Sequence, residues 1–137
     1  MKKDFRRWHD KKEIINRIPK LPFFHEREIW FCHLGVNVGF EEDGRGEDFL
    51  RPVVVVRKFS SQIFWAVPLT KSVKQINDKT QQYYFQFSYY REGSKVQTVA
   101  ILSQIRLIDA RRLHYVVGTI EESDFSSLKQ KLKALLP

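Results

Sequence analysis

The chain holds one cysteine, Cys32, in 137 residues, so no intramolecular disulfide can form and a reducing compartment is the natural setting. No apolar run approaches the roughly 18 residues that a membrane-spanning helix requires. The opening stretch, MKKDFRRWHDKKEIIN, is charged and lacks the apolar segment of a secretion signal. Together these absences predict a cytoplasmic protein with no membrane partner. The four histidines, His9, His25, His33 and His114, have neither H-x-x-x-H nor C-x-x-C spacing, so no zinc site is expected. The acidic stretch EEDGRGED at 41–48 lacks the alternating ligand spacing of a calcium loop and carries Arg45 in its middle, which predicts a solvated loop. Its Gly-Arg-Gly opens no helix and so is no phosphate cradle. Neither a metal nor a cofactor is expected.

What is present is aromatic and basic. Eleven Phe, five Tyr and three Trp favour strands. The net charge of +8 points to an anionic partner, nucleic acid first. Residues 1–20 carry eight Lys/Arg against three acids, which is +5 of that total. This segment reads as a basic amphipathic helix over 4–17, with Asp4 as N-cap and Phe5, Trp8 and Ile15 packed on the body. Its charged face either binds nucleic acid or is simply solvated.

The body reads as short strands. REIWFCHLG (27–35) comes first, with Ile29, Phe31 and His33 on one face and Trp30 and Cys32 on the other. A glycine-rich acidic loop (36–49) follows. PVVVVRK and QIFWAVPL form a hairpin around a short turn, and QQYYFQFSYY and KVQTVAIL form another in which Gly93 supplies the turn. DARRL (109–113) predicts one helical turn capped by Asp109, and HYVVGTI a last strand. The C-terminal helix starts from Ser123 as N-cap, with Phe125, Leu128, Leu132, Leu135 and Leu136 as its apolar stripe. The prediction is a single domain over 1–137, mainly β (α+β): a small antiparallel barrel over 27–120, a terminal helix at 123–136, and an extra basic N-terminal helix and linker at 1–20.

Polar residues gather at strand ends. In FLRPVVVVRKF, proline is tolerated at a strand's first residue, so Arg51 is expected as the last residue outside the sheet. A fork held there suits an anion, although a surface arginine paired with a carboxylate would read the same. Thr70 and Lys71 close AVPLTK. Ser103 and Gln104 interrupt the apolar run VAILSQIRLID, and either bond to neighbouring backbone or line one pocket with Arg51 and Thr70.

The ordered set EIWFCHLG, GFEE, RPVVVV, AVPLTK, AILSQIRLIDARRL and GTI, followed by a helix, resembles the MazF/PemK family over about residues 27–136. The family's members are toxins of type II toxin–antitoxin systems. The resemblance implies an SH3-like barrel, usually a homodimer, with RNA across the dimer interface and the loop after the first strand helping to cover it. It implies sequence-specific, metal-independent cleavage of single-stranded RNA. The ribose 2′-OH attacks the adjacent phosphate and leaves a 2′,3′-cyclic phosphate and a 5′-OH. It implies a cognate antitoxin whose disordered tail fills the RNA groove, and operator DNA contacted through the complex with that antitoxin.

Carried over by position, the resemblance makes Arg51 the catalytic arginine, Thr70 the hydroxyl that holds the scissile phosphate or its neighbour, Glu41 an acid implicated in catalysis, and Ser103 a catalytic-segment residue. Phe40, Arg45, Lys71 and Gln104 become RNA-binding. The pattern departs at three positions. Phe40 stands where some members have histidine, Ile101 where some have arginine, and Ser103 where many have an acid. Serine is no general base at neutral pH, which leaves Glu41 as the base candidate and adds proton donation to the role of Arg51. These departures support an alternative, a non-catalytic nucleic-acid- or antitoxin-binding module on the same barrel.

Overall fold

Val53, Val54, Val55 and Val56 are all buried in the computed structural model, which describes residues 4–16, 21–34, 50–73 and 76–137. Alternate residues of a strand face opposite ways, so four consecutive buried valines require both faces of the sheet to be covered. Two separate cores meet that requirement. One collects Val54, Val56, Val67 and Leu69 with Phe87, Tyr89, Phe125 and Leu128. The other collects Val53, Val55, Phe64 and Ala66 with Phe24, Trp30, Cys32 and Ile108. Each fully buried valine contributes roughly 1.5 kcal/mol or more through removal from water.

In chain order the elements are α1 (Phe5–Asn16), β1 (Glu28–His33), β2 (Leu50–Lys58), β3 (Ile63–Thr70), β4 (Tyr84–Arg91), β5 (Ser94–Ile101), β6 (Arg106–Asp109), β7 (Leu113–Thr119) and α2 (Glu122–Lys133). The strands form one antiparallel sheet in the order β4-β5-β3-β2-β1-β7, with β6 also paired to β3. The sheet curls into a half-barrel until β4 comes against β7. Gly118 makes that approach possible: a Cβ there would lie 2.7 Å from the Tyr89 ring and 3.0 Å from the Tyr90 carbonyl oxygen.

Both predicted hairpins form. The tip between β4 and β5 has Glu92 at φ 51° and Gly93 at φ 80°, two positive values in a two-residue loop, as a type I′ turn needs. Between β2 and β3, the Ser60 hydroxyl accepts from the backbone N–H groups of Gln62 and Ile63. The Asp109 cap also forms, its carboxylate accepting from the Arg111 backbone N–H at 2.9 Å.

Several expectations are corrected. The expected strand KVQTVAIL ends at Ile101 as β5, a single 3-10 turn spans Leu102–Gln104, and the sequence reading assigned no strand to the β6 that follows. The physical reason lies in β3, whose one edge pairs with β6 over Ile63–Ala66 and with β5 over Leu69–Thr70. The two faces of β1 do separate as expected for three residues: Ile29 enters the first core, and Trp30 and Cys32 enter the second. In α1, Trp8 and Ile15 are the anchors, while Phe5 is 52% exposed. Helix α2 starts from Glu121, not Ser123, and has no side-chain cap. Glu122 and Asp124 in its first turn meet the helix dipole instead. Leu136 lies past its end and is exposed. Arg27, at φ 76°, ties the start of α2 to the sheet: its Nε and Nη2 donate to the Ile120 carbonyl at 3.1 and 3.0 Å.

Gly118→Ala should lower stability by about 1–3 kcal/mol, because the methyl group meets a core ring and a backbone oxygen. Urea unfolding of the variant measures this; an unchanged midpoint would mean that β4 and β7 do not close this tightly.

Candidate active site

Arg51 is not outside the sheet. It is the second residue of β2, opposite Cys32 of β1, and only 6% exposed. The expectation failed because Pro52 does not open the strand; it sits third, opposite Phe31. The β2–β3 ladder runs no further than Val53 opposite Pro68, so this end of the strand pair is closed by two prolines. A proline is tolerated where ladder pairing stops. The Arg51 Nη1 donates to the Leu69 carbonyl at 3.5 Å across that gap. The guanidinium is therefore held within the end of the sheet by β2 and by the last turn of β3.

Thr70 is the next residue along and the last of β3. Its carbonyl accepts from the Thr98 hydroxyl at 3.0 Å, which holds the end of β3 against β5. On the other side of Leu69, Pro68 helps to line a cavity of about 440 Å³ with Leu34, Ser103, Gln104, Ile105, Arg106 and Leu107. Ser103 is exposed and Gln104 half-buried, both in the turn that re-aims the chain from β5 to β6. Ser103 and Gln104 thus share a cavity with Pro68, whereas Arg51 and Thr70 are not among the described residues that line it; the Leu69 carbonyl that holds Arg51 lies between Pro68 and Thr70 in the chain. Lys71 goes elsewhere, to a separate depression with Ser72, Gln86, Ser88 and Thr98 among its walls. Phe40, Glu41 and Arg45, and the acidic loop that carries them, lie outside the described residues.

Arg106 and Leu34 belong to this cavity and were not singled out from the sequence. Arg106 is the second cation of the region, and its signal was the break in the run VAILSQIRLID, which placed it at the first residue of a new strand. Ile101, by contrast, is buried in β5 opposite Tyr84, so that position brings no charge to the cavity.

Cys32 lies behind this end of the sheet and is fully buried. Burial pushes its thiol up to about 12, against the opposite pull of Arg112 and Arg106. Arg112 in turn is held below its usual value by burial and then by Arg106. The thiol is protonated throughout the physiological range and is no nucleophile.

Residues 25–136 match the family model described as PemK-like, MazF-like toxin of type II toxin-antitoxin system. The fold is similar to two solved structures. The Mycobacterium tuberculosis toxin MazF-mt6 is 14% identical with a TM-score of 0.54, over 79% of this chain and 94% of that one. MazF from Deinococcus radiodurans is 16% identical with a TM-score of 0.57, over 85% of this chain and 96% of that one. At these identities the likeness is one of fold. No curated protein matches the sequence.

Two outcomes follow from the burial of this end. Arg51→Ala should cost on the order of 1–3 kcal/mol, because the Leu69 carbonyl loses a charged donor; equal unfolding midpoints would contradict the buried contact. Cys32 keeps its proton in the folded chain to about pH 12 but releases it near 9.0 when ordinary, so its contribution to stability is fully present below pH 9 and lost as pH rises toward 12. Alkaline unfolding of Cys32→Ala should show a shallower loss over that window, and a disulfide reagent at pH 8 should label the wild-type thiol only after unfolding.

Proposed function

We propose, for a chain that belongs to the PemK-like, MazF-like toxin family of type II toxin–antitoxin systems, that it is an endoribonuclease which cleaves single-stranded RNA without a metal. Members of the family are generally endoribonucleases. The observation that carries the reading is the guanidinium of Arg51, held on the carbonyl of Leu69, the residue that follows the cavity-lining Pro68 and precedes Thr70 in β3. A cation fixed in advance is suited to a phosphate whose charge grows in the transition state, because no reorganisation is needed as that charge develops.

In this reading the ribose 2′-oxygen forms a bond to the neighbouring phosphorus and the bond from phosphorus to the 5′-oxygen breaks. Glu41 takes the 2′ proton, a role that rests on the family resemblance alone. Arg51 stabilises the phosphorane and hands a proton to the leaving 5′-oxygen. Thr70 and Ser103 hold phosphate oxygens by their hydroxyls, and Gln104, Lys71, Phe40 and Arg45 contact the flanking RNA.

The active form in this reading is a homodimer. Trp65 and Leu107 are paired across β3 and β6, Ile63 is two residues before Trp65, and the Phe59 ring packs 4.9 Å from Trp65. All four are exposed, and Leu107 also lines the Ser103 cavity. A second copy seated on this apolar face would border the cavity. The partners are a cognate antitoxin and, through that complex, operator DNA.

The buried Ile101 and the hydroxyl at Ser103 favour one other reading, a module that binds RNA or antitoxin on the same surface without cleaving. A labelled RNA pool separates the two. Wild type should cleave it in EDTA, and Arg51→Lys, which keeps the charge but loses the fork, should be slower by roughly 100-fold or more at matched thermal stability. Wild-type binding without cleavage would leave the module.

A further inference from the structure

Helix α1 lies outside residues 25–136, yet it builds a second cavity with them. Trp8 and Ile15 bury their side chains, and the Arg112 guanidinium lies 5.7 Å from the Trp8 ring centre. Beside this contact is a cleft of about 370 Å³ lined by His9, Lys12, Glu13, Ile15, Asp109, Arg111 and Arg112.

The charges in the cleft do not cancel. Asp109 is occupied by Arg111, whose Nε and Nη2 donate to its two carboxylate oxygens at 3.0 and 2.8 Å. Glu13 lies 3.6 Å from His9. Lys12 and Arg112 form no ion pair among the described residues. Arg112 is half-buried; burial first and the Arg106 charge second disfavour its cation, Asp109 opposes them only in part, and a negative group entering beside it would favour the charged form. Arg106 also lines the Ser103 cavity, so Arg106 and Arg112 form a cationic link between the two sites.

We propose that the cleft between α1 and the 110–112 turn binds the phosphodiester backbone of the RNA strand beyond the cleavage cavity, with Lys12 and Arg112 as its phosphate ligands. This rests on the ribonuclease reading. Contacts of this kind add affinity and salt dependence without sequence information. They make α1 an extension of the substrate site that the rest of the barrel lacks.

The test uses the full chain and pools of 2′-O-methyl oligoribonucleotides, one long and one short, whose blocked 2′ position allows binding but no cleavage. Fluorescence anisotropy is read between about 50 and about 200 mM KCl. Lys12→Gln and Arg112→Gln should each weaken binding of the long pool about three- to tenfold at the lower salt, and each should reduce the log–log salt slope by about 0.7. The short pool should be unaffected. Lys12 is exposed, so Lys12→Gln and Lys12→Glu carry the test even where Arg112→Gln unfolds. Unchanged affinity and slope in the Lys12 variants, with wild type binding normally, would overturn the cleft assignment and leave the ribonuclease reading standing. Failure of wild type to bind either pool would overturn both. Weaker binding of a poly-glutamate peptide with unchanged RNA binding would assign the cleft to an acidic protein partner and overturn the RNA proposal.

Discussion

The structure depends on one constraint: the run Val53–Val56 must be dry on both sides. A sheet with a single buried face would leave two of the four valines in water. The chain meets the constraint by laying α2 and the β4–β5 hairpin on one face and the 21–24 segment with the β6–β7 turn on the other. Everything near the candidate site follows from where that double cover stops. The β2–β3 ladder ends between two prolines, and β3 then changes partner on its far edge from β6 to β5. A polar group can be sheltered at such a seam without losing its hydrogen bonds, and Arg51 is the group found there.

The seam is also where positive charge accumulates. Arg51 stands opposite Cys32 in the sheet, Arg106 opens β6, and Arg112 precedes β7. The thiol among them offers no counter-charge, since burial keeps it protonated. Asp109, held below its ordinary value chiefly by its hydrogen bond from Arg111, is paired with that neighbour and acts on Arg112 only through space. Under the proposed function this concentration of arginines is suited to a polyanion, and the hydroxyl of Ser103 and the amide of Gln104 in the neighbouring cavity are suited to phosphate oxygens.

Much of the fold could be read directly. The type I′ hairpin was signalled by Gly93, the Asp109 cap by DARRL, and the buried strand by its valines, because each depends on local chemistry. The errors arose where tertiary pairing overrode a local rule. Pro52 looked like a strand start, but in a sheet what matters is where the ladder stops, and that is set by Pro68 on another strand. The break at Ser103 and Gln104 was visible, but nothing in the segment says that IRLID forms a strand, because that depends on β3 having two partners. Ser123 looked like a cap, while the helix began earlier with its acids in place. Of the site, Arg51, Thr70, Ser103 and Gln104 were legible as polar residues at strand ends. Arg106 was not, since its importance comes from the cavity walls that Leu34 and Pro68 complete.

The central claim is that this end of the sheet performs transesterification on RNA rather than merely holding it. The direct measurement is the chemistry of the product ends, mapped by sequencing and by phosphatase sensitivity after wild-type protein has acted on an RNA pool in EDTA. The account predicts 2′,3′-cyclic phosphate on the upstream fragment and a free 5′-OH on the downstream one, at a short shared sequence. A 5′-phosphate with a 3′-OH, or cleavage that appears only when a divalent ion is restored, would contradict it.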